Sequence, residues 1–251
     1  MDIASDRCIG CGQCVDYCPS GAISLVEAVA TIDPVLCVEC GTCRRVQCCP
    51  VDAILESSLG GTPRAIRAFF SDPAATHAET GIPGRGTEEV KTNDVTGRVR
   101  PGWVGIGIEV GRPCLGTMLA EVEKITTALA PLGIRYERNN PMTYLLESQE
   151  TGRIKEEYRG ERVTSLIIEF TVEEGRLAEV LGVLRDVSGR LDTVFALDVI
   201  ACFDERGELP VWDSLVEMGY RPRPNAKVNL GLGRPAASAL VELVASEVSG
   251  R

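Results

Sequence analysis

The chain has 251 residues, 44% of them hydrophobic and 25% charged, a balance that suits one or two globular domains and excludes a disordered chain. Its 36 acidic residues outnumber the 26 basic ones for a formal charge of −10, so the basic footprint required for nucleic-acid binding is missing. No apolar run is long enough to span a bilayer, and Met1-Asp2-Ile3-Ala4-Ser5-Asp6 lacks both parts of an export signal, so a cytoplasmic location is expected.

The first segment is dominated by cysteine. Eleven cysteines would suit a secreted disulfide scaffold, but nine of them fall in the first 49 residues, two apart in runs. Without an export signal, metal ligation is the better expectation. The first run is Cys8-x2-Cys11-x2-Cys14-x3-Cys18-Pro19. One tight loop can aim the first three sulfurs at a common point, and Pro19 is expected to start a short helix leading away. The second run begins 29 positions later as Cys37-x2-Cys40-x2-Cys43, followed by Cys48-Cys49-Pro50. The flanks repeat as well: Cys-Pro-Ser-Gly-Ala-Ile-Ser-Leu at 18–25 echoes Cys-Pro-Val-Asp-Ala-Ile-Leu at 49–55. Such duplication is a fold signal in itself.

On these runs, residues 1–56 resemble a bacterial dicluster ferredoxin. The resemblance implies two [4Fe–4S] clusters with crossed ligation, each run's fourth cysteine serving the other cluster. Carried over, cluster I takes Cys8, Cys11, Cys14 and Cys49, and cluster II takes Cys37, Cys40, Cys43 and Cys18. There is one departure. The family pattern puts a cysteine where this chain has Gln47, and five residues separate Cys43 from Cys49. Cys49 keeps the following proline and is the expected ligand, with Cys48 the alternative; the thiol left over is either a buried neutral cysteine or a redox-sensitive spare. The bulge should change hydrogen bonding and solvent access around cluster I. An architectural zinc site competes with this reading, although zinc sites usually pair two Cys-x2-Cys knuckles.

Residues 1–56 carry eight acids (Asp2, Asp6, Asp16, Glu27, Asp33, Glu39, Asp52, Glu56) against three bases (Arg7, Arg44, Arg45). Each [4Fe–4S] cube with its thiolates adds a charge of about −2. A basic-surfaced redox partner is therefore expected, with electrostatics setting the association rate.

Residues 57–102 read as a Gly/Pro-rich linker or functional loop. Ser57–Pro63 is turn chemistry, and a brief helix is expected over Arg64–Phe70 with Ile66, Phe69 and Phe70 on its apolar side. Gly84-Arg85-Gly86 could form an anion-binding nest near Lys91 and Arg98, or the stretch could be a plain solvated connector. No Walker motif is present. His77, the single histidine, is expected to be solvated and without a role.

Past Gly102 the pattern becomes regular. Val104, Ile106, Ile108 and Val110 alternate with smaller or polar residues as a strand with one buried face. Gly105 and Gly107 flatten its other face, for close packing or for a subunit contact. A helix is expected over Thr117–Ala130, a strand over Ile134–Tyr136, a hairpin of Met142–Leu146 with Ile154–Tyr158, and a strand through Leu166–Val172. A second helix over Arg176–Val187 and a strand over Val194–Phe203 complete the set. Cys114 and Cys202 read as core or near-core thiols.

The order is β-α-β-β-α-β, an α+β sandwich over 103–203, similar in pattern to ACT-type regulatory domains. That resemblance implies small-ligand binding or pairing of protomers through the sheet. Residues 204–251 read as a helical extension, with helices over Val211–Met218 and Ala236–Val248. Gly231-x-Gly233-x-x-Ala236 imitates a dinucleotide fingerprint but has no following strand or acid, and is rejected. The expected function is low-potential electron transfer, as a carrier or oxidoreductase subunit rather than a stand-alone enzyme. A redox or metabolite sensor is the alternative.

Overall fold

The computed structural model describes residues 1–81, 98–111 and 116–222. Gly84-Arg85-Gly86, Lys91, Cys114 and everything expected from Arg223 onward lie outside the described residues.

The cysteine-bearing segment is built from very short elements. Strand β1 (Asp2–Ile3) pairs antiparallel with β4 (Ile54–Leu55) and pins the two ends of the segment together. Between them come α1 (Gln13–Asp16), the hairpin β2 (Ile23–Val26) and β3 (Val29–Ile32), and α2 (Thr42–Arg45). The hairpin turns on Glu27 and Ala28, both at positive φ (50° and 64°). That is the primed two-residue turn whose twist matches the strands it joins, formed here without glycine or asparagine.

Both one-turn helices precede their run's last cysteine, so Pro19 starts no helix. The chain instead turns after Pro19 and enters β2, because the Ala22 amide donates to Cys18 Sγ rather than to a helical carbonyl.

The segment's apolar core is small: Ile23, Ala30 and Ile54 around Cys14 and Cys43.

The second region has a larger core. Strand β5 (Trp103–Val110) lies at the centre of a three-stranded antiparallel sheet, between β8 (Leu166–Glu173) and β9 (Phe195–Ala201). Its register puts Val104, Ile106, Ile108 and Val110 on one face, all fully buried. Helices α4 (Leu119–Leu129) and α6 (Leu177–Ser188) cover that face with Leu119, Val122, Ile125 and Leu129, and with Leu177, Val180, Leu181 and Leu184. On the other face, a Cβ at Gly105 would lie 2.8 Å from Val99, so the glycine serves close packing by the 98–102 strand approach.

Two expected elements differ. Ile134–Tyr136 contributes one bridge, Tyr136 to Phe170, instead of a strand. The expected hairpin is a single bridge between Leu146 and Ile154, because Pro141–Leu145 forms a 3-10 helix. Asn140 starts that helix by accepting from the Met142 amide at 2.8 Å, with Pro141 in the first turn. The short strand β6 (Thr117–Met118) pairs with β7 (Arg162–Val163), which follows α5 (Glu156–Arg159) in the chain, and α7 (Val211–Glu217) packs Val211 and Leu215 onto the core.

Helix α3 (Ile66–Ser71) joins the regions. Ile66 and Phe70 are buried in the larger core, and the Thr164 amide donates to Ser71 Oγ at 2.9 Å. Met1–Arg221 cluster as one unit. His77 follows α3 and is buried, not solvated: its ring stands between Phe69 and Tyr144 at centroid distances of 5.4 and 5.1 Å.

Candidate iron–sulfur site

Each cysteine loop is shaped by backbone that side chains rarely adopt. In the first, Gly10 has φ 67° and faces the hairpin turn; a Cβ there would lie 2.1 Å from the Ala28 carbonyl oxygen. Gly12 and Gly41, at φ 74° and 66°, start α1 and α2 and turn Cys14 and Cys43 inward. The position in the second loop that matches Gly10 is Glu39, at φ 57° and 4% exposed. Its carboxylate accepts from Arg64 and from the amine of Met1, which offsets the cost of burying it.

The sulfurs fall into two groups. Cys8, Cys11, Cys14 and Cys49 line one cavity, of about 320 Å3 including its mouth, together with Ile3, Ala30 and Ile54. Cys18, Cys37, Cys40 and Cys43 line another, of about 300 Å3, with Ile23, Ile32 and Val38. Each group takes three thiols from one run and one from the other. Among the described residues no three Cys, His, Asp or Glu side chains could hold a single metal ion. Thiols alone, gathered four to a cavity, are the donor set that iron–sulfur chemistry uses.

Cys48 and Cys49 are distinguished by their neighbours. The Ala53 amide donates to Cys49 Sγ at 3.2 Å, as the Ala22 amide does to Cys18 Sγ at 3.2 Å. The two Cys-Pro-x-x-Ala turns are thus one structure used twice, with Asp52 (φ 48°) at the place of Gly21 (φ 65°). Cys48 stands outside that lining but close enough to Cys14 to raise its thiol, and its own thiol donates to the Cys43 carbonyl at 3.3 Å. The extra residues are absorbed where Gln47 adopts φ 51°.

Without metal, burial pushes the Cys43 thiol up to about 11, and the neighbouring Cys40, Cys18 and Cys37 add to the shift. Burial likewise raises Cys14, Cys37 and Cys48. Cys8 moves the other way, because the amides of Ala30 and Gly10 donate to its sulfur. The site therefore must release protons as it loads.

Sequence reasoning missed three things here: the β2–β3 hairpin that backs the first loop, the buried Glu39, and Arg67. Arg67 is 7% exposed and donates from Nη1 to the carbonyls of Pro34 (2.8 Å) and Cys37 (2.6 Å). A lone arginine on a short helix carries no signal for such a contact.

Among the described residues no helix is long and apolar enough to cross a membrane. A family model for a 4Fe-4S binding domain matches residues 1–24. One subunit of the ion-translocating oxidoreductase complex of Methanosarcina acetivorans is 49% identical over 47 residues, 19% of this chain and 17% of that protein. An uncharacterized ferredoxin-like protein of Haemophilus influenzae is 36% identical over 55 residues, 20% of this chain and 62% of its own length. The chain thus spans under two thirds of both. No solved structure matches. Ferredoxin Fdx2 of Sorangium cellulosum is 40% identical over 78 residues, which are 27% of this chain and 77% of that protein. Through this N-terminal segment, which binds iron–sulfur and transfers electrons, the chain belongs to the ferredoxin family.

Proposed function

We propose that the chain carries two [4Fe–4S] clusters and passes single electrons to a partner oxidoreductase with a basic docking face. Cluster I is held by Cys8, Cys11, Cys14 and Cys49, and cluster II by Cys18, Cys37, Cys40 and Cys43. The observation that supports this reading is the sorting of eight thiols into two cavities, each drawing its fourth member from the opposite run. A bound [4Fe–4S] cluster supplies a reversible one-electron site with little rearrangement.

The chain's own residues prepare that site. Amides of Ala30, Ala22 and Ala53 donate to Cys8, Cys18 and Cys49, stabilising thiolate charge and moving the potential upward. Ile23, Ala30 and Ile54 exclude water between the two cavities' walls. Ile9 is 64% exposed beside the first cavity, and Cys11 is exposed as well, so a partner can approach that end closely. The Methanosarcina relative's name, that of one component of an oxidoreductase complex, supports docking over free diffusion. The α+β region, a three-stranded sheet with α4 and α6 on one face, would hold the module against that partner.

Anaerobic purification tests the reading. It requires about eight irons and eight sulfides per chain, and a reduced-state resonance signal from two interacting clusters. Colourless protein containing zinc overturns it.

A further inference from the structure

Arg67 lies where the two regions meet. It sits on α3, whose Ile66 and Phe70 are sunk in the larger core, and its guanidinium reaches back to the second cysteine loop. Nη1 donates to the carbonyl of Cys37, whose thiol lines the second cavity, and to that of Pro34 at the start of the same loop. Its Nε donates to Glu161, 94 residues away on the segment that leads into β7. The side chains of Arg67 and Glu161 are 8% and 14% exposed, so solvent screens them little.

We propose that Arg67 is a positioning residue that raises the reduction potential of cluster II and ties it to the α+β region, with Glu161 as its counterweight. The inference rests on the two-cluster reading above. An added electron makes a cluster more negative, so a buried cation fixed on a ligand's carbonyl favours the reduced form. The carboxylate lies on the far side of the guanidinium and cancels part of that field. Whatever shifts Glu161, on β7's approach, changes how much of Arg67's charge the cluster feels.

The test is a potentiometric titration of the full chain with clusters loaded, followed by electron resonance, for wild type, R67Q, R67K and E161Q. R67Q should lower one of the two potentials, moving the reduced-to-oxidised ratio about fivefold at fixed applied potential. At 59 mV per tenfold for one electron this is about 40 mV. E161Q should raise the same potential, R67K should stay within about twofold of wild type, and the other cluster should not move.

Opposite signs from the two neutral variants are an outcome that general loosening of the loop cannot produce. Shifts of the same sign, shifts in both clusters, or no shift in either variant would overturn the proposal. If R67Q yields no loaded protein, the upward shift in E161Q decides alone. Iron and sulfide counts separate the claims: a loaded wild type whose potentials ignore both variants overturns the coupling only, and an unloaded one overturns both readings.

Discussion

The cysteine segment and the α+β region obtain order in different ways. In residues 103–201 the strands run to eight residues and the helices to eleven and twelve, and each lays an apolar stripe on a common core. In residues 1–56 no element exceeds four residues, amides of Ala22, Ala30 and Ala53 donate to cysteine sulfur, and Glu27, Ala28, Glu39, Gln47 and Asp52 adopt left-handed φ. Burial of hydrocarbon holds the one. The other is drawn around a group that its thiols must grip, so its binding energy is largely folding energy.

Metal removal should separate the two regions most sharply. Stripping the metal under anaerobic chelation should abolish amide-exchange protection in the 23–32 hairpin while leaving β5 amides protected. Loss of both together would mean the regions do not differ in this way. Next comes the choice of fourth ligand: Cys49→Ser should halve the iron, from about eight to about four per chain, and Cys48→Ser should leave it unchanged.

Ile106→Ala attacks the other side. Ile106 is fully buried, and the variant should cost about 2–5 kcal/mol in denaturant unfolding without changing the iron content. Backbone strain gives a finer contrast within the cysteine segment. Gly10→Ala should cost more than about 2 kcal/mol, from its left-handed φ plus the clash with the Ala28 carbonyl. Gly21→Ala, with open space around it, should cost about 1 kcal/mol.

The smallest effect is electrostatic. Burial holds His77 below its ordinary 6.5, against the opposing pull of Glu79. The unfolded chain therefore takes up the proton first, and stability present above about 6.5 is lost as pH falls. His77→Gln should flatten that slope by less than about 1 kcal/mol per pH unit, measured from pH 7 down to 5.

The cysteine spacing made the site legible because a tight loop with sulfurs at every third position leaves little other chemistry. Alternation at 104–110 and the stripes of α4 and α6 were legible for the same reason: periodicity and burial agreed. The hairpin at 23–32 was hidden because Glu27-Ala28 offers no turn residue; strand twist imposes the conformation. The 141–145 helix was readable in principle from Asn140-Pro141, but alternating Met142, Tyr144 and Leu146 imitated a strand. Arg67 and Glu161 pair across 94 positions, and only the fold brings them together.

Helix α3 has a practical consequence for anyone trimming this chain to a minimal electron carrier. Cutting at residue 56, where the cysteine motifs end, would strip the carbonyls of Pro34 and Cys37 of their guanidinium cap and leave Glu39 without Arg64. A fragment ending after Ser71 would keep both arginines but expose Phe70, now fully enclosed, to water. The useful unit of this protein is therefore longer than its ferredoxin-like part.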